Sequence, residues 1–375
     1  VKQETEPTRK KTGRTRIVLL LTNVGLALLL FLAQTLTTIS PARYWILELF
    51  TNSYPILLLL NLCFIAFWLL RKSKFALISS VVLLFGLGKI GEFFQPGFHP
   101  SLDTDTDSTL HVLSYNVRSF DLYNWTGNAE TRRKIFEMLE SEQPQLLCLQ
   151  EYYSCDEGEF QNTTEIARRL KLPYHHIRYS NTVLGSHHWG LATFSKYPIV
   201  QEGALSYKPG KSNFIQYTDL LIDADTVRVY NLHLQSNHFK KQDYEFIENP
   251  DDTVHKGWIQ GSKSILRKLR KAVVTRSQQA DTLANHIREC PHPVIVCGDF
   301  NDTPFTYTYR TAKGDLVDAF VEKGTGFGGS YTELPIPLRI DYVLHSDDIT
   351  TESFAMQRNR LSDHYPLIVG LRLPN

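Results

Sequence analysis

The segment Val294-Ile295-Val296-Cys297-Gly298-Asp299-Phe300-Asn301 decides how this chain is read. A short apolar run closed by a glycine predicts a buried strand. The polar pair follows where the run ends, and Asp299 and Asn301 stand two residues apart, so an extended backbone turns both to one face. The same pattern recurs on either side of it. Asn116 ends Val112-Leu113-Ser114-Tyr115-Asn116, and Glu151 ends Leu147-Cys148-Leu149-Gln150-Glu151. Asn231 and His233 alternate along Val229-Tyr230-Asn231-Leu232-His233-Leu234. Asp341 lies in Arg339-Ile340-Asp341-Tyr342, and Asp363 with His364 in Leu361-Ser362-Asp363-His364-Tyr365-Pro366. One such carboxylate alone is ordinarily a turn residue or a cap. Together they place acids, histidines and amides beside apolar strands that can converge on one sheet edge, as hard oxygen ligands with acid–base groups next to them.

Between these segments the pattern alternates. Strands are predicted at 111–115, 146–149, 191–194, 214–222, 227–234, 294–297, 340–344 and 367–373, and helices at 129–140, 164–170 and 277–288. Strands dominate, so the fold class from residue 110 onward is α/β or α+β. No internal repeat is visible.

The set of segments resembles the endonuclease/exonuclease/phosphatase superfamily, also called deoxyribonuclease I-like, in the family's order from about residue 110 to the C-terminus. Gly298-Asp299-Phe300-Asn301 and Ser362-Asp363-His364 are its most specific parts. The resemblance implies a four-layer α/β sandwich of two mostly antiparallel sheets flanked by helices. It implies a Mg²⁺-dependent phosphoric ester hydrolase, with Mn²⁺ able to substitute because its ligand preferences are similar. It assigns Glu151 as the main metal carboxylate, Asn116 to the metal or the phosphate, and Asp363 to the metal side. Asp299 positions or deprotonates the attacking water, and Asn301 orients Asp299 or donates to a phosphoryl oxygen. His364 binds a phosphate oxygen or moves a proton, with Asp341 fixing its tautomer. His233 donates to the phosphate or protonates the leaving group, with Asn231 as the candidate to orient it. The identity of the general base stays open.

The N-terminal part is different in kind. Three apolar segments, about 17–38, 54–70 and 75–94, approach the roughly 20 residues needed to cross a bilayer. The first is longer than a signal-peptide core and two more follow it, so it is expected to stay on the chain. Lys2, Arg9, Lys10, Lys11, Arg14 and Arg16 precede the first segment, and Arg71, Lys72 and Lys74 follow the second. The positive-inside rule puts both clusters in the cytoplasm. The expected layout is a cytoplasmic tail (1–16), a transmembrane region of about three helices (17–94), a linker (95–109) and a catalytic domain (110–375). With three crossings the catalytic domain is extracytoplasmic, as for a multi-pass protein of a bacterial inner membrane. Lys89 and Glu92 weaken the third segment, and without it the domain is cytoplasmic.

Composition bounds less. The 375 residues carry a net charge of +1 and 21% charged residues, but that total hides an uneven distribution and says little about partners. The five cysteines lack zinc-site spacing and are expected to be mostly buried thiols. Lys263, Arg267, Lys268, Arg270, Lys271 and Arg276 interleave with Ile265, Leu266, Leu269 and Val273 at helical spacing, with Glu245, Glu248, Asp251 and Asp252 nearby. That segment reads as a lipid-headgroup contact, a nucleic-acid phosphate contact, or a solvated helix. Three functions compete: a phosphodiesterase or phosphatase working at the membrane on a lipid headgroup or another phosphoester, an extracytoplasmic nuclease on DNA or RNA, and a non-enzymatic membrane scaffold.

Overall fold

Alternation along each strand determines the layering. Val112, Leu146, Cys148, Val229, Ile295 and Cys297 meet in one apolar cluster. Their chain neighbours Leu113, Leu147 and Leu149 turn the other way and pack with Ile135, Phe136, Leu139 and Ile166. Tyr230, Val294 and Val296 pack with Ala280, Leu283 and Tyr309. The central strands are therefore buried on both faces, which is why they read as near-continuous apolar runs. The result is helix, sheet, sheet, helix, with the main core between the sheets.

This computed structural model describes residues 9–97, 109–206, 208–237, 255–334 and 337–374, with the side chains of 9–12 and 255–260 excepted. Most of the expected linker lies outside the described residues, as do Glu245, Glu248, Asp251 and Asp252. The chain divides into a helical unit, residues 1–91 with 305–307, and a sheet unit, 92–304 with 308–375.

In the sheet unit the strands are β1 (Phe94–Gln95), β2 (Thr109–Asn116), β3 (Leu146–Cys155), β4 (Tyr174–Val183), β5 (His187–Ser195), β6 (Ile199–Leu205) and β7 (Phe214–Ile222). They continue as β8 (Asp225–His233), β9 (Val294–Asp299), β10 (Val317–Asp318), β11 (Gly326–Phe327), β12 (Asp341–His345), β13 (Thr350–Met356) and β14 (Leu367–Arg372). One sheet has the order β13-β14-β2-β3-β5-β4, the other β10-β12-β9-β8-β7-β6. Each is antiparallel except for one central parallel pair, β2 with β3 and β8 with β9. A parallel neighbour needs a crossover, and helices Thr131–Glu142 and His255–Arg288 lie within those two connections. The sandwich expected from the sequence is present. The edge and hairpin strands β4, β6 and β13 went unpredicted.

The basic segment and the predicted helix after it form one helix, His255–Arg288. Arg276 is not part of a basic surface. It is buried, its Nε lies 3.0 Å from Asp302 Oδ2, and it donates to Gln235 O at 2.9 Å. Lys263, Arg267, Arg270 and Lys271 are exposed.

The helical unit departs from three equal spans. Among the described residues only Gly13–Thr38 is long and apolar enough to cross a membrane; Tyr54–Leu70 and Ala76–Phe85 are shorter apolar helices. The third predicted segment breaks at Gly86 and resumes as Leu87–Gly91. Buried polar groups join the helices. Asn23 Nδ2 donates to Ser79 Oγ at 2.5 Å, Ser79 Oγ to Asn61 Oδ1 at 2.7 Å, and Trp68 Nε1 to Asn23 Oδ1 at 2.9 Å. All five cysteines are free thiols; Cys148, Cys155 and Cys297 are buried and Cys63 is exposed.

Candidate active site

Strand register assembles the site. Asp341 at the start of β12 pairs with Asp299 at the end of β9, and Asp299 pairs in turn with His233 at the end of β8. Asn116 ends β2, and Glu151 follows it on β3. The register of β3 slips between Leu149 and Tyr152. Glu151 sits in that bulge with φ +48°, which swings its carboxylate out of the strand's alternation. Each sheet thus contributes residues to one centre.

Gly298 has φ +139°, and a Cβ there would lie 2.0 Å from Leu232 O. Only glycine lets β9 approach β8 this closely just before Asp299.

Asp299 is buried at the hub. Its Oδ1 accepts the Asn301 N–H at 2.8 Å, and its Oδ2 accepts Asn116 Nδ2 at 3.1 Å. His233 Nε2 and His364 Nε2 approach the same Oδ2 at 3.5 and 3.7 Å. Burial pushes this carboxyl up to about 6, against the pull of His364. His364 Nδ1 lies 2.7 Å from Asp341 Oδ2. Burial alone pushes the imidazole down, but the carboxylates of Asp341 and Asp299 outweigh it and hold the group at about 10. A protonated His364 therefore donates Nδ1–H to Asp341 and aims Nε2–H toward Asp299. Ser330 Oγ accepts the Asp341 N–H at 3.1 Å, and Tyr331 bridges to His364, so both partners are held by the backbone.

Several expected residues sit differently. Asn116 Oδ1 accepts the Arg118 N–H at 3.1 Å, and its NH₂ faces Asp299 and Glu151. Through these N–H groups Asn116 holds the two carboxylates, and its oxygen, with a second lone pair, is the atom a cation would take. Asn301 holds Asp299 through its backbone N–H; its side chain donates to Leu234 O at 3.0 Å. Asn231 does not contact His233. It lies between the sheets, accepting from Gln150 Nε2 at 2.8 Å and donating to Ala192 O at 2.9 Å. Asp363 contacts Arg118 Nε at 3.4 Å and accepts Ser362 Oγ at 3.0 Å. Gln150, Arg118, Ser330 and Ser362 were not singled out from the sequence. Arg118, two residues past Asn116, carried the one usable signal, its place in a polar segment.

Asp299, Asp341 and His364 form the one carboxylate–histidine group with metal-ligand spacing among the described residues. Its imidazole already has Nδ1 on Asp341, so this set is arranged to hold a proton. A hard divalent ion fits better at Glu151. That carboxylate is 38% exposed at the cleft, and among the described residues its Oε1 has Asn116 Nδ2 at 3.4 Å and His233 Nε2 at 3.9 Å nearby. Oxygen ligands that leave room for water suit Mg²⁺. The adjoining cleft has a volume of about 500 Å³.

Residues 113–364 match the model of the endonuclease/exonuclease/phosphatase family. Residues 15–93 match a domain family of unknown function, DUF8431. No curated protein matches this chain. Among similar solved structures is an endonuclease/exonuclease/phosphatase from Beutenbergia cavernae, 15% identical, covering 72% of each chain with a TM-score of 0.48. The human Nocturnin catalytic domain is 16% identical, covering 70% of this chain and 94% of its own, with a TM-score of 0.47. Sphingomyelinase C from Streptomyces griseocarneus is 18% identical, covering 71% and 99%, with a TM-score of 0.44. The family match spans the whole of the site just described, from β2 to His364, and on it the chain belongs to the endonuclease/exonuclease/phosphatase family.

Proposed function

We propose that this protein is a membrane-tethered, Mg²⁺-dependent phosphoric ester hydrolase that activates water at Asp299. The observation carrying this is the hydrogen-bonded line Asp341–His364 with Asp299 and His233 beyond it, at one end of the sandwich. In-line attack on phosphorus is opposed by charge on the phosphate and on the leaving oxygen. Asp299, with its carboxyl near 6, is ionised at neutral pH yet basic enough to take a proton from water. Asn116 and the Asn301 N–H hold it in place. His364, kept cationic by Asp341, donates Nε2–H to a phosphoryl oxygen. His233, at the cleft wall, donates to the phosphate or to the leaving oxygen. Glu151 would hold the divalent ion, which when bound supplies positive charge to the phosphate; Mn²⁺ would serve in its place. Asp363 supports that side through Arg118 and Ser362.

The tether rests on the helical unit, whose surface is reversed relative to a soluble bundle. Ile17, Leu21, Leu28, Leu59, Leu69, Val81 and Leu84 are exposed while Asn23, Asn61 and Ser79 are buried. Without water to satisfy them, polar side chains join helices from within. Membrane lipids are the proposed surroundings. Basic residues near both ends of 13–70 favour, by the positive-inside rule, a cytoplasmic side of a bacterial inner membrane for those ends and, with a third crossing, an extracytoplasmic catalytic domain.

The test uses the full chain in detergent, with Asp299→Ala and His364→Ala, in Mg²⁺ or EDTA. The substrates are bis-p-nitrophenyl phosphate, p-nitrophenyl phosphate, plasmid DNA, RNA and phospholipid vesicles. Metal-dependent turnover lost in both variants is expected; absence of turnover on every substrate by folded protein would return the chain to a scaffold role. Protease protection in spheroplasts checks the topology.

A further inference from the structure

The chemistry uses only the floor of the cleft, and its walls are built differently. Tyr123, Trp189 and Val183 line it together with Glu151 and His233. Tyr123 is 59% exposed and Trp125 45%, with their rings 4.9 Å apart. Neighbouring aromatic rings left in water at a cleft mouth mark a binding surface.

These walls are also held rigidly. Residues Arg118 to Asp121 all have positive φ, between 43° and 59°, a run that L-residues resist. Asp121 Oδ1 accepts the Thr126 N–H at 3.1 Å, which ties off the loop carrying Tyr123 and Trp125. The Arg118 guanidinium lies 4.7 Å over the Trp125 ring. Trp189, also lining the cleft, is backed by Tyr153 at 4.9 Å, and Tyr153 OH is hydrogen-bonded to His187 Nδ1 at 2.6 Å. Strain concentrated at a site edge points to a ligand-positioning role.

Charge narrows the ligand. Among the described lining residues none is Lys or Arg. Arg118 is engaged by Asp363 and Glu333. The described lining meets one phosphate at its floor, and Lys208 and Lys211, close in sequence to the lining residues Gly210 and Ser212, are exposed, so the contacts the walls themselves offer are aromatic and polar rather than ionic. Asn181 and Ser212, also lining it, offer hydrogen bonds that a hydrocarbon tail leaves unpaired and a heteroaromatic edge satisfies.

We infer that the cleft selects small phosphoesters bearing one flat aromatic group, seated against the Tyr123 and Trp189 rings while the phosphorus lies over Glu151 and Asp299. This rests on the phosphoesterase reading and deepens it. The ring could come from a nucleobase or from a simple aryl ester.

The experiment compares kcat/KM of the full chain in detergent, read as choline release, on choline phosphodiesters that differ only in the second substituent: benzyl, thymidine, methyl or dodecyl. One of the two aromatic diesters is expected to exceed the methyl diester by about ten-fold or more, the scale of one stacked ring. Which one does so distinguishes the sources. Tyr123→Ala should lower that ratio most of the way to one, and Trp189→Leu should do the same. A dodecyl ester as the best substrate, or ratios unchanged in both variants, overturns the inference. If no ester is turned over, calorimetric binding of phenylphosphonate to the Asp299→Ala chain still decides it. Weakening by about ten-fold on adding Tyr123→Ala supports the aromatic seat, and unchanged or absent binding sinks it.

Discussion

Replacing Asp341 with asparagine removes one charge from the site and leaves its volume unchanged. His364 sits at about 10 in the folded protein. Against an ordinary imidazole near 6.5 this corresponds to roughly 5 kcal/mol of preference for the charged form. Burial opposes that preference, so the carboxylates supply all of it, and Asp341, at 2.7 Å, is the closer of the two. Without it the buried imidazole falls toward neutrality or below. With the cation as the proposed active form, activity is present below the His364 midpoint and lost as pH rises through it. In Asp341→Asn that loss should move from about pH 10 down to about pH 7 or lower, and kcat/KM at pH 8 should fall by roughly 10² to 10⁴-fold. The acid limb, set by ionisation of Asp299, should stay at or below about 6, since a bound cation lowers it. The assay is a kcat/KM profile from pH 5 to 11 on whichever substrate turns over, with the thermal midpoint as a control for folding. An alkaline limb that stays where it is in wild type would falsify the reasoning.

Other outcomes follow from the same geometry. Glu151→Gln should raise the Mg²⁺ concentration needed for half-maximal turnover by about ten-fold or more, read from a metal titration, because a neutral amide binds hard cations weakly. Gly298→Ala should yield little folded protein, since its methyl would meet Leu232 O at 2.0 Å; circular dichroism checks this. Arg339→Leu should cost about 3–5 kcal/mol in urea unfolding, because it leaves Asp318 buried without the guanidinium that now lies 2.5 Å away. Gln150→Leu should destabilise the sandwich by about 1–3 kcal/mol, by stripping the buried Asn231 oxygen of its donor.

What could be read from the sequence follows from which forces are local. Strands buried on both faces announce themselves as apolar runs, as in β9, and the apolar ends and β-favouring Tyr217 and Thr218 of 214–222 mark that strand to the residue. Edge strands such as β4 do not, because water satisfies one face and the pattern weakens. The polar residues Asp299, Asp341, His233 and His364 were legible because they interrupt apolar runs. Their partners were less so: nothing local tells Asn116 to turn its nitrogen toward the site, since that orientation depends on the Arg118 N–H. Asn231 shared its strand face with His233, yet its partner Gln150 lies on the other sheet. The helical unit was read for length and hydrophobicity alone, and both missed the break at Gly86.

The pairing of β2 with β14 carries a consequence for how the enzyme comes into being. The first full-length strand of the domain waits for the last, and His364 emerges only just before that closing strand. A growing chain can therefore hold Asn116, Glu151 and even Asp299 without a working centre, because the histidine and the strand that seats it arrive last. Synthesis order makes the hydrolase dormant until its N-terminal helices have long since left the ribosome. A chain cut short anywhere before Leu367 should be inert rather than partly active.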